Sequence, residues 1–381
     1  MLTLSAATTL RFAWRGMGIN GMNQRIVVTA AGVISALGIG LEEFSLNLYS
    51  GRTAAAPSPR FAGFTVAEIA DLDPQPWLGS KGIRTLDRSS RLLAIAAKMA
   101  LDGAGLETGD PALGLVCGTV LGSLHSITSF DWSGLQEGPA WVNPSEFANT
   151  VINAAAGQAA IKHKLRGVNS TICAGLASGL FAIDYAADAL RFGRAKAVLA
   201  GGVEELCDES VRGFAEAGVV PGEGSALLLL ETAEDAAKRG RTPWLEVLGF
   251  GCFALHADGA AEAMRQALEK SAIAPEQVAC IVSSASGSRT GDEMEARALE
   301  RVFGKQLAKI PVCAPKAAFG ETMGAAGALC AVVAGLSLHR QQIPPTAGFT
   351  ASLPISGEYA LVNAFGCDGN NASLVIRLWK P

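Results

Sequence analysis

The sequence predicts an α/β protein made of two duplicated halves. Short apolar or β-branched runs alternate with helical stretches along the chain, and the second half repeats the element order of the first. Such alternation is typical of largely parallel sheets covered by helices. The repeat is far too long for a solenoid. With 49% hydrophobic and 17% charged residues, the composition also excludes disorder and coiled-coil repeats.

Each element follows from its local pattern, because helices show apolar residues at a period of 3.6 and buried strands show short apolar runs between turn signals. The first half has strands at 25–31, 113–116, 168–172, 195–200 and 225–231, and helices at 41–49, 87–101, 147–163 and up to 192. The second half has strands at 244–248, 278–283, 310–313, 359–364 and 372–378, and helices at 259–270, 292–303 and 322–339. The charged stretch 238–242 separates them. We therefore predict units at 22–240 and 241–381, after a disordered or wrongly assigned leader at 1–21.

Charge and cysteine usage restrict the possible partners. The formal net charge of −4 gives no reason to expect nucleic-acid binding. The eight cysteines occur singly, without a CxxC pair, which favours a reducing cytoplasm over a disulfide framework. None of the four histidines has a metal-ligand spacing, so we expect no metal and no cofactor. The uncharged run 323–338 is shorter than the roughly 20 residues of a membrane span and predicts a buried core helix.

Cys173 is the first candidate for chemistry, because it lies between a predicted strand and a predicted helix. The helix has one apolar face, formed by Leu176, Leu180, Ile183, Ala187 and Leu190. A cysteine at the positive end of a helix dipole is favoured as thiolate. Strand-to-helix elbows also expose a side chain at the carboxyl edge of a sheet. The alternative, a small buried hydrophobic residue, is equally compatible with this position alone.

Residues 25–381 resemble the β-ketoacyl synthases, and the resemblance rests on motifs in the family's order. The nucleophile region is NSTICAGLASGLFAIDYAADALRFGRAKAVLAGGVEE at 169–205. The others are RIVVTAAGVISALGIG near the start, NTVINAAAGQAAI at 149–161, GEGSALLLLE at 222–231, GDEMEARALERVFG at 291–304, PKAAFGETMGAAG at 315–327, IPPT at 343–346 and VNAFGCDGNNASLVI at 362–376. The family implies a thiolase-like fold of two duplicated halves in five layers, αβαβα, that dimerises beside the nucleophile.

The same resemblance implies a site of one acylated cysteine and two histidines that stabilise the enolate formed when malonate loses carbon dioxide. Here Cys173 keeps the nucleophile position. Ser286 stands where the first histidine is expected and Glu321 where the second is expected. An ionised carboxylate accepts hydrogen bonds and cannot donate to an enolate oxygen. Both histidines are therefore missing.

Several further departures from the family surround these positions. The family's lysine is kept as Lys316, but the glutamate that partners it is Cys330 here. We therefore expect a relocated ion pair between Lys316 and Glu321; the alternative is that Glu321 points to solvent. The family's loop over the active site is shortened at 204–221. Cys367 replaces the gating phenylalanine, and its backbone N–H is expected to form an oxyanion hole with that of Cys173, while Asp368 is expected to be a turn residue.

These changes favour a chain-length-factor subunit of a type II polyketide, aryl polyene or related fatty-acid-type synthase. Such a subunit pairs with an active ketosynthase, shapes the acyl tunnel and meets an acyl carrier protein. The alternatives are a Cys173-dependent acyltransferase and a divergent 3-oxoacyl carrier-protein synthase active as a homodimer, so whether the chain is itself an enzyme stays open. The expected tunnel residues are Leu121, Glu146 and Phe147, with core packing as the alternative for the two apolar ones. Three arginines, Arg84, Arg88 and Arg91, are candidates for contact with an acidic carrier protein, although a solvated face is the commoner explanation.

Overall fold

The computed structural model describes residues 24–254, 258–346, 351–366 and 368–381. Its ten main strands are β1 (Ile26–Ser35), β2 (Leu113–Gly118), β3 (Asn169–Ile172), β4 (Ala197–Glu204), β5 (Gly224–Thr232), β6 (Leu245–Ala254), β7 (Val278–Val282), β8 (Val312–Cys313), β9 (Tyr359–Phe365) and β10 (Asn370–Leu378). They form one continuous sheet in the order β8-β7-β9-β10-β6-β1-β5-β4-β2-β3. The two-residue strand Gly38–Ile39 extends it beside β1.

Within the described ranges, nine longer helices accompany the strands. They are α1 (Leu41–Tyr49), α2 (Arg88–Ala104), α3 (Leu124–Glu137), α4 (Ala154–His163), α5 (Ser178–Arg191), α6 (Asp208–Glu216), α7 (Gly259–Lys270), α8 (Arg289–Phe303) and α9 (Ala326–Arg340). Shorter helices cover Gln75–Leu78, Pro144–Phe147, Ala233–Lys238 and Lys316–Phe319. Two small antiparallel sheets join Ala56–Pro57 to Thr65–Val66 and Gln342–Ile343 to Leu353–Pro354.

The strand order repeats between the halves, which confirms the predicted duplication. Strands β1 to β5 lie in the order 1-5-4-2-3, and β6 to β10 lie in the equivalent order. Each half has two parallel and two antiparallel pairs, so the expectation of largely parallel sheets is wrong. The last strand of each half runs against both of its neighbours, and β10 does so because it returns directly after β9. Antiparallel pairing of β1 with β6 joins the halves.

The helices complete five layers around this sheet. Helices α2 and α4 cover the outer face of the first half, and α7 and α8 cover the outer face of the second. Between the halves lie α5 and α9, which contact strands of both. The segment Met323–Arg340 is long and apolar enough to cross a membrane, but 89% of its most apolar window is buried. The predicted core helix is therefore confirmed.

Three of the longer helical regions differ from the sequence-based expectation. One is α6, which lies within the segment 204–221 that was expected to be a loop. The single helix predicted at 147–163 is wrong, because the chain forms the short helix Pro144–Phe147 and then α4, separated by a turn rich in Asn, Thr and Val, which are weak helix formers. Helix α3 was not predicted, and only Ser126 of its residues is buried. The proposed leader at 1–21 lies outside the described residues.

Candidate active site

The nucleophile elbow follows β3, which is an edge strand that pairs only with β2 among the described residues. Strand β3 ends at Ile172, Cys173 comes next, and α5 begins at Ser178. The intervening turn is fixed by the Ser178 hydroxyl, which accepts from Ala174 N at 2.9 Å and donates to Gly175 O at 2.6 Å. Cys173 therefore lies at the predicted junction between strand and helix, five residues before the first residue of α5.

The side chain of Cys173 is exposed in this single chain, and its Sγ lies 3.6 Å from Val120 O. The Cys173 N–H donates to no other described residue, so it is available to a bound oxygen. Its proposed oxyanion-hole partner, the N–H of Cys367, lies outside the described residues.

The carboxylate of Asp368 lies against the elbow. A Cβ at Gly175, which has a φ of 55°, would lie only 1.9 Å from Asp368 Oδ2, so this approach requires glycine. Asp368 accepts from Asn370 N at 3.2 Å and from Asn370 Nδ2 at 2.7 Å. It is therefore the expected turn residue, and in addition it brings a negative charge close to the turn that carries Cys173.

The two positions expected to hold histidines face one cavity of about 300 Å³. Its lining includes Ser286, Glu321 and Leu176, but not Cys173 itself. Two further carboxylates, Asp292 and Glu295, also line it, and no Lys, Arg or His does. Asp292 accepts from the N–H groups of residues 286 and 287, each at 3.0 Å. The cavity is therefore rich in hydroxyl and carboxylate groups.

Glu321 forms the ion pair anticipated from the sequence. Lys316 Nζ donates to Glu321 Oε2 at 2.7 Å, and both side chains are at most 2% exposed. The other carboxylate oxygen accepts from Met323 N at 2.8 Å, and Met323 has a φ of 48°, in the strained left-handed region. Although burial opposes its charge, the adjacent Glu321 raises the pKa of Lys316 above its usual value. Both oxygens of Glu321 are thus already occupied.

Two buried groups, Cys330 and Glu295, contribute to the electrostatic surroundings of the Lys316–Glu321 pair. Cys330, at the position of the missing glutamate, is fully buried on α9, and burial raises the pKa of its thiol to about 12. Burial also raises the pKa of Glu295 to about 7, although Asn363 Nδ2 donates to its carboxylate at 2.9 Å. With Cys330 neutral, Glu321 is the carboxylate that neutralises Lys316 directly.

The predicted tunnel residues lie in different surroundings. Leu121 is half-buried in the loop after β2, and its N–H donates to Glu204 Oε1 at 3.0 Å. Phe147 is 65% exposed, and its ring is tilted by 51° to that of Phe130, with centroids 5.8 Å apart. Glu146 instead lines a separate cavity of about 280 Å³ with the arginines of α2. Leu121 is therefore the member of this set closest to the elbow loop.

The three candidate arginines are not equivalent. Arg88 is bound to the buried Glu223, with contacts of 2.6 and 2.7 Å, and is not free for a partner. Arg91 is half-buried, and its Nε has no hydrogen-bond partner. Arg84 is exposed and pairs with no described residue. The expectation of a joint arginine surface is therefore wrong for Arg88.

Sequence reasoning missed Glu204, Asp292 and Glu295. Glu204 ends a buried apolar strand, and Asp292 and Glu295 lie in the first and second turns of α8, where acidic residues are usually solvated. Within the described part of the chain, no group of three or more His, Cys, Asp or Glu side chains is arranged to hold a metal ion. Seven described cysteines are free, and of these Cys173 is the exposed one.

Comparison with known proteins places this geometry in context. Residues 23–220 match the β-ketoacyl synthase N-terminal domain, and residues 250–350 match the C-terminal domain. The chain is 29% identical to 3-oxoacyl-[acyl-carrier-protein] synthase 2 of Coxiella burnetii, over 93% of this chain and 98% of that protein. It is 30% identical to the tetracenomycin polyketide synthase ketoacyl synthase beta subunit of Streptomyces glaucescens, over 92% and 98%.

Solved structures agree with the sequence comparison. The ishigamide ketosynthase/chain length factor superposes with a TM-score of 0.87 at 27% identity, over 94% of this chain and 100% of that one. A β-ketoacyl synthase from Burkholderia phymatum superposes with a TM-score of 0.85 at 26% identity, over 94% and 100%. The duplicated, thiolase-like architecture and these matches lead to one conclusion: the chain belongs to the β-ketoacyl synthase family.

Proposed function

We propose that this chain is a chain-length-factor-like subunit that pairs with an active β-ketoacyl carrier-protein synthase and shapes the tunnel for its acyl chain. The observation that carries the proposal is the state of Glu321. At the position of a family histidine, its two oxygens accept from Lys316 Nζ and Met323 N. A group that is already an acceptor on both oxygens supplies no proton donor to an enolate.

The rest of the cavity supports the same proposal. Ser286 offers one hydroxyl in place of an imidazole, while Asp292 and Glu295 bring carboxylates to the lining. A malonyl group carries a carboxylate of its own, and like charges in a cavity repel each other. The missing donors therefore disfavour decarboxylation in this chain, and the nearby acidic groups disfavour binding of the malonyl carboxylate.

Relatives whose names state a role also support the proposed subunit function. The tetracenomycin relative is a ketoacyl synthase beta subunit, and the ishigamide structure is of a ketosynthase/chain length factor. A relative that is a 3-oxoacyl-[acyl-carrier-protein] synthase 2 has similar identity, so overall similarity alone does not separate the two roles. The side chains at residues 286 and 321 favour the subunit role.

The surface of the chain is suited to a partner with the same fold, either a second ketosynthase-like subunit or another copy of itself. Strand β3 leaves one edge unpaired among the described residues, next to Cys173. An exposed apolar surface on α3 and the segment before α4, here named the α3–α4 patch, lies in the same half. Its residues are Trp132, Leu135, Trp141, Phe147, Val151 and Ile152, which are 41 to 78% exposed. Such surface on a single chain favours burial against another protein.

We place the tunnel wall at Leu121 and the α3–α4 patch, and we propose an acyl carrier protein as the second partner. Arg84 is exposed and without a described partner, which suits an acidic protein surface. The free thiols of the described cysteines suit a reducing compartment, and we propose the cytoplasm.

The test is co-expression with the ketosynthase from the same source, followed by an assay with malonyl carrier protein. A tunnel-shaping subunit predicts that the complex elongates chains, that this chain alone releases no carbon dioxide, and that Cys173→Ala here changes the rate of the complex by less than about twofold. Substitution of the partner ketosynthase's own nucleophilic cysteine by alanine is the matched control and abolishes the activity. Steady β-ketoacyl production by this chain alone contradicts the proposal.

A second candidate function is acyl transfer through Cys173, either as an acyltransferase or as a divergent synthase active as a homodimer. The exposed Sγ and the free N–H of Cys173 favour it, because acyl transfer needs a nucleophile and an oxyanion donor but no decarboxylation. Stoichiometric acylation of Cys173 by an acyl carrier protein, together with loss of activity in Cys173→Ala of this chain, selects this alternative.

A further inference from the structure

Glu204, the last residue of β4, is a buried carboxylate with four hydrogen-bond donors. One oxygen accepts from Thr119 Oγ1 at 2.9 Å and from Leu121 N at 3.0 Å. The other accepts from Val120 N at 2.8 Å and from Gly324 N at 3.0 Å. Its side chain is fully buried, and none of the ion pairs among the described residues includes it.

These contacts join two segments that are far apart in sequence. Residues 119–122 form the loop after β2, and Gly324 lies in the turn that leads from Glu321 into α9. The approach is so close that a Cβ at Gly324 would lie 2.5 Å from Thr119 Cα and 2.8 Å from Glu204 Oε2. Glu204 therefore fixes the loop against the turn that carries the Lys316–Glu321 pair.

The opposite side of the same loop holds the nucleophile elbow. Val120, whose N–H is bound by Glu204, presents its carbonyl oxygen to Cys173 Sγ at 3.6 Å. Thr119 O accepts from the Ser178 hydroxyl at 3.3 Å, and Thr119 N donates to Ile172 O at 3.0 Å. Residues 119 and 120 thus contact the Glu204 carboxylate on one side and the segment with the Cys173 thiol on the other.

We propose that Glu204 is a positioning residue that holds the carbonyl of Val120 against the Cys173 thiol and fixes Leu121 beside it. A carboxylate buried without a cation is costly, and packing alone does not require one. The four hydrogen-bond donors that converge on this carboxylate stabilise its charged form. The part of the inference that concerns Leu121 rests on the proposed tunnel function, whereas the part that concerns the thiol does not.

The adjacent Glu205 provides a matched control. Glu205 follows the last residue of the strand, and its carboxylate binds backbone N–H groups of other segments than those bound by Glu204. It is 3% exposed and accepts from Ser89 N at 2.9 Å and from His125 N at 3.4 Å. It is as buried as Glu204 and has no contact with Cys173 or with Val120.

The experiment measures the rate of alkylation of Cys173 by iodoacetamide in the purified full-length chain, with the labelled site read by mass spectrometry. In Glu204→Gln, an amide N–H group must face backbone donors, so the loop shifts and the thiol loses its carbonyl acceptor. We expect alkylation about threefold faster or more, the scale of one hydrogen bond, while Glu205→Gln stays within about twofold of wild type. Equal rates in Glu204→Gln and wild type overturn the inference.

A milder variant covers the case in which Glu204→Gln does not fold. Thr119→Val removes one of the four donors and leaves the carboxylate in place, and we expect a smaller increase in the same rate. A folded Thr119→Val protein with an unchanged rate then overturns the inference. In the complex with the partner, Glu204→Gln also shifts the product length if Leu121 lines the tunnel. Faster alkylation with unchanged product length supports the positioning role and counts against the tunnel function.

Discussion

Glu321 Oε2 accepts a hydrogen bond from Lys316 Nζ across 2.7 Å, and water reaches neither side chain appreciably. This pair lies five residues apart in sequence, between a short helix and the turn into α9. The resemblance to the β-ketoacyl synthases implies a catalytic histidine at the position of Glu321, so the proposed function depends on this contact.

The first prediction concerns the stability of this pair. Glu321→Gln leaves Lys316 charged and buried without a carboxylate, which costs about 3–5 kcal/mol in the free energy of unfolding. Lys316→Met combined with Glu321→Gln recovers most of that loss, because no isolated charge is left behind. Urea unfolding of the two variants and wild type measures both values. Equal stability of the single and double variants contradicts the pairing.

The second prediction moves the negative charge to its family position. In Glu321→His, Lys316 again lacks a carboxylate, and the free energy of unfolding falls. Adding Cys330→Glu places a carboxylate on α9 near the same lysine and restores at least half of the lost stability. Cys330→Gln has a similar size without the charge and is the control. Equal rescue by the glutamine and the glutamate shows that packing, not charge, matters there.

The third prediction is a pH dependence of stability. Burial, with Asp87 nearby, raises the pKa of Glu205 to about 8. Between about pH 5 and pH 8 the unfolded chain has released this proton while the folded chain still holds it. The contribution of Glu205 to stability is therefore greatest at or below about pH 5 and falls as pH rises toward 8, by up to about 1.4 kcal/mol per pH unit.

Denaturant unfolding at pH 5, 6, 7 and 8 measures this slope. Glu205→Gln reduces it, because the amide does not titrate. Glu137→Gln, on the exposed surface of α3, is the control and leaves the slope as in wild type. A free energy of unfolding that rises between pH 5 and pH 8 contradicts the prediction.

The fourth prediction concerns the α3–α4 patch. Leu135→Asp and Val151→Asp each place a charge where a partner would bury the side chain, and we expect loss of co-purification with the partner subunit. The folded chain is unaffected, because both side chains are more than 50% exposed. Leu46→Asp, at a similarly exposed site on α1, is the control. If both patch variants still co-purify with the partner subunit, the interface lies on another surface of the chain.

The sequence predicted the duplicated architecture and most core elements, because a period of 3.6 or a short buried run is a local signal. It also predicted the Lys316–Glu321 pair, because the two residues lie in one motif. It did not reveal Glu204, whose four donors come from loops more than 80 residues away on either side. Helix α3 escaped prediction because its apolar residues stay exposed in a single chain.

The free edge of β3 has a consequence for how a cell handles this chain. Backbone groups left unpaired along this edge among the described residues, together with exposed tryptophan and leucine side chains in the same half, favour association with other molecules. If this chain is synthesised in excess over its partner subunit, the unpaired copies would aggregate. Their Cys173 thiol would also be open to oxidation. Matched output of the two polypeptides, for example from adjacent reading frames, avoids both outcomes.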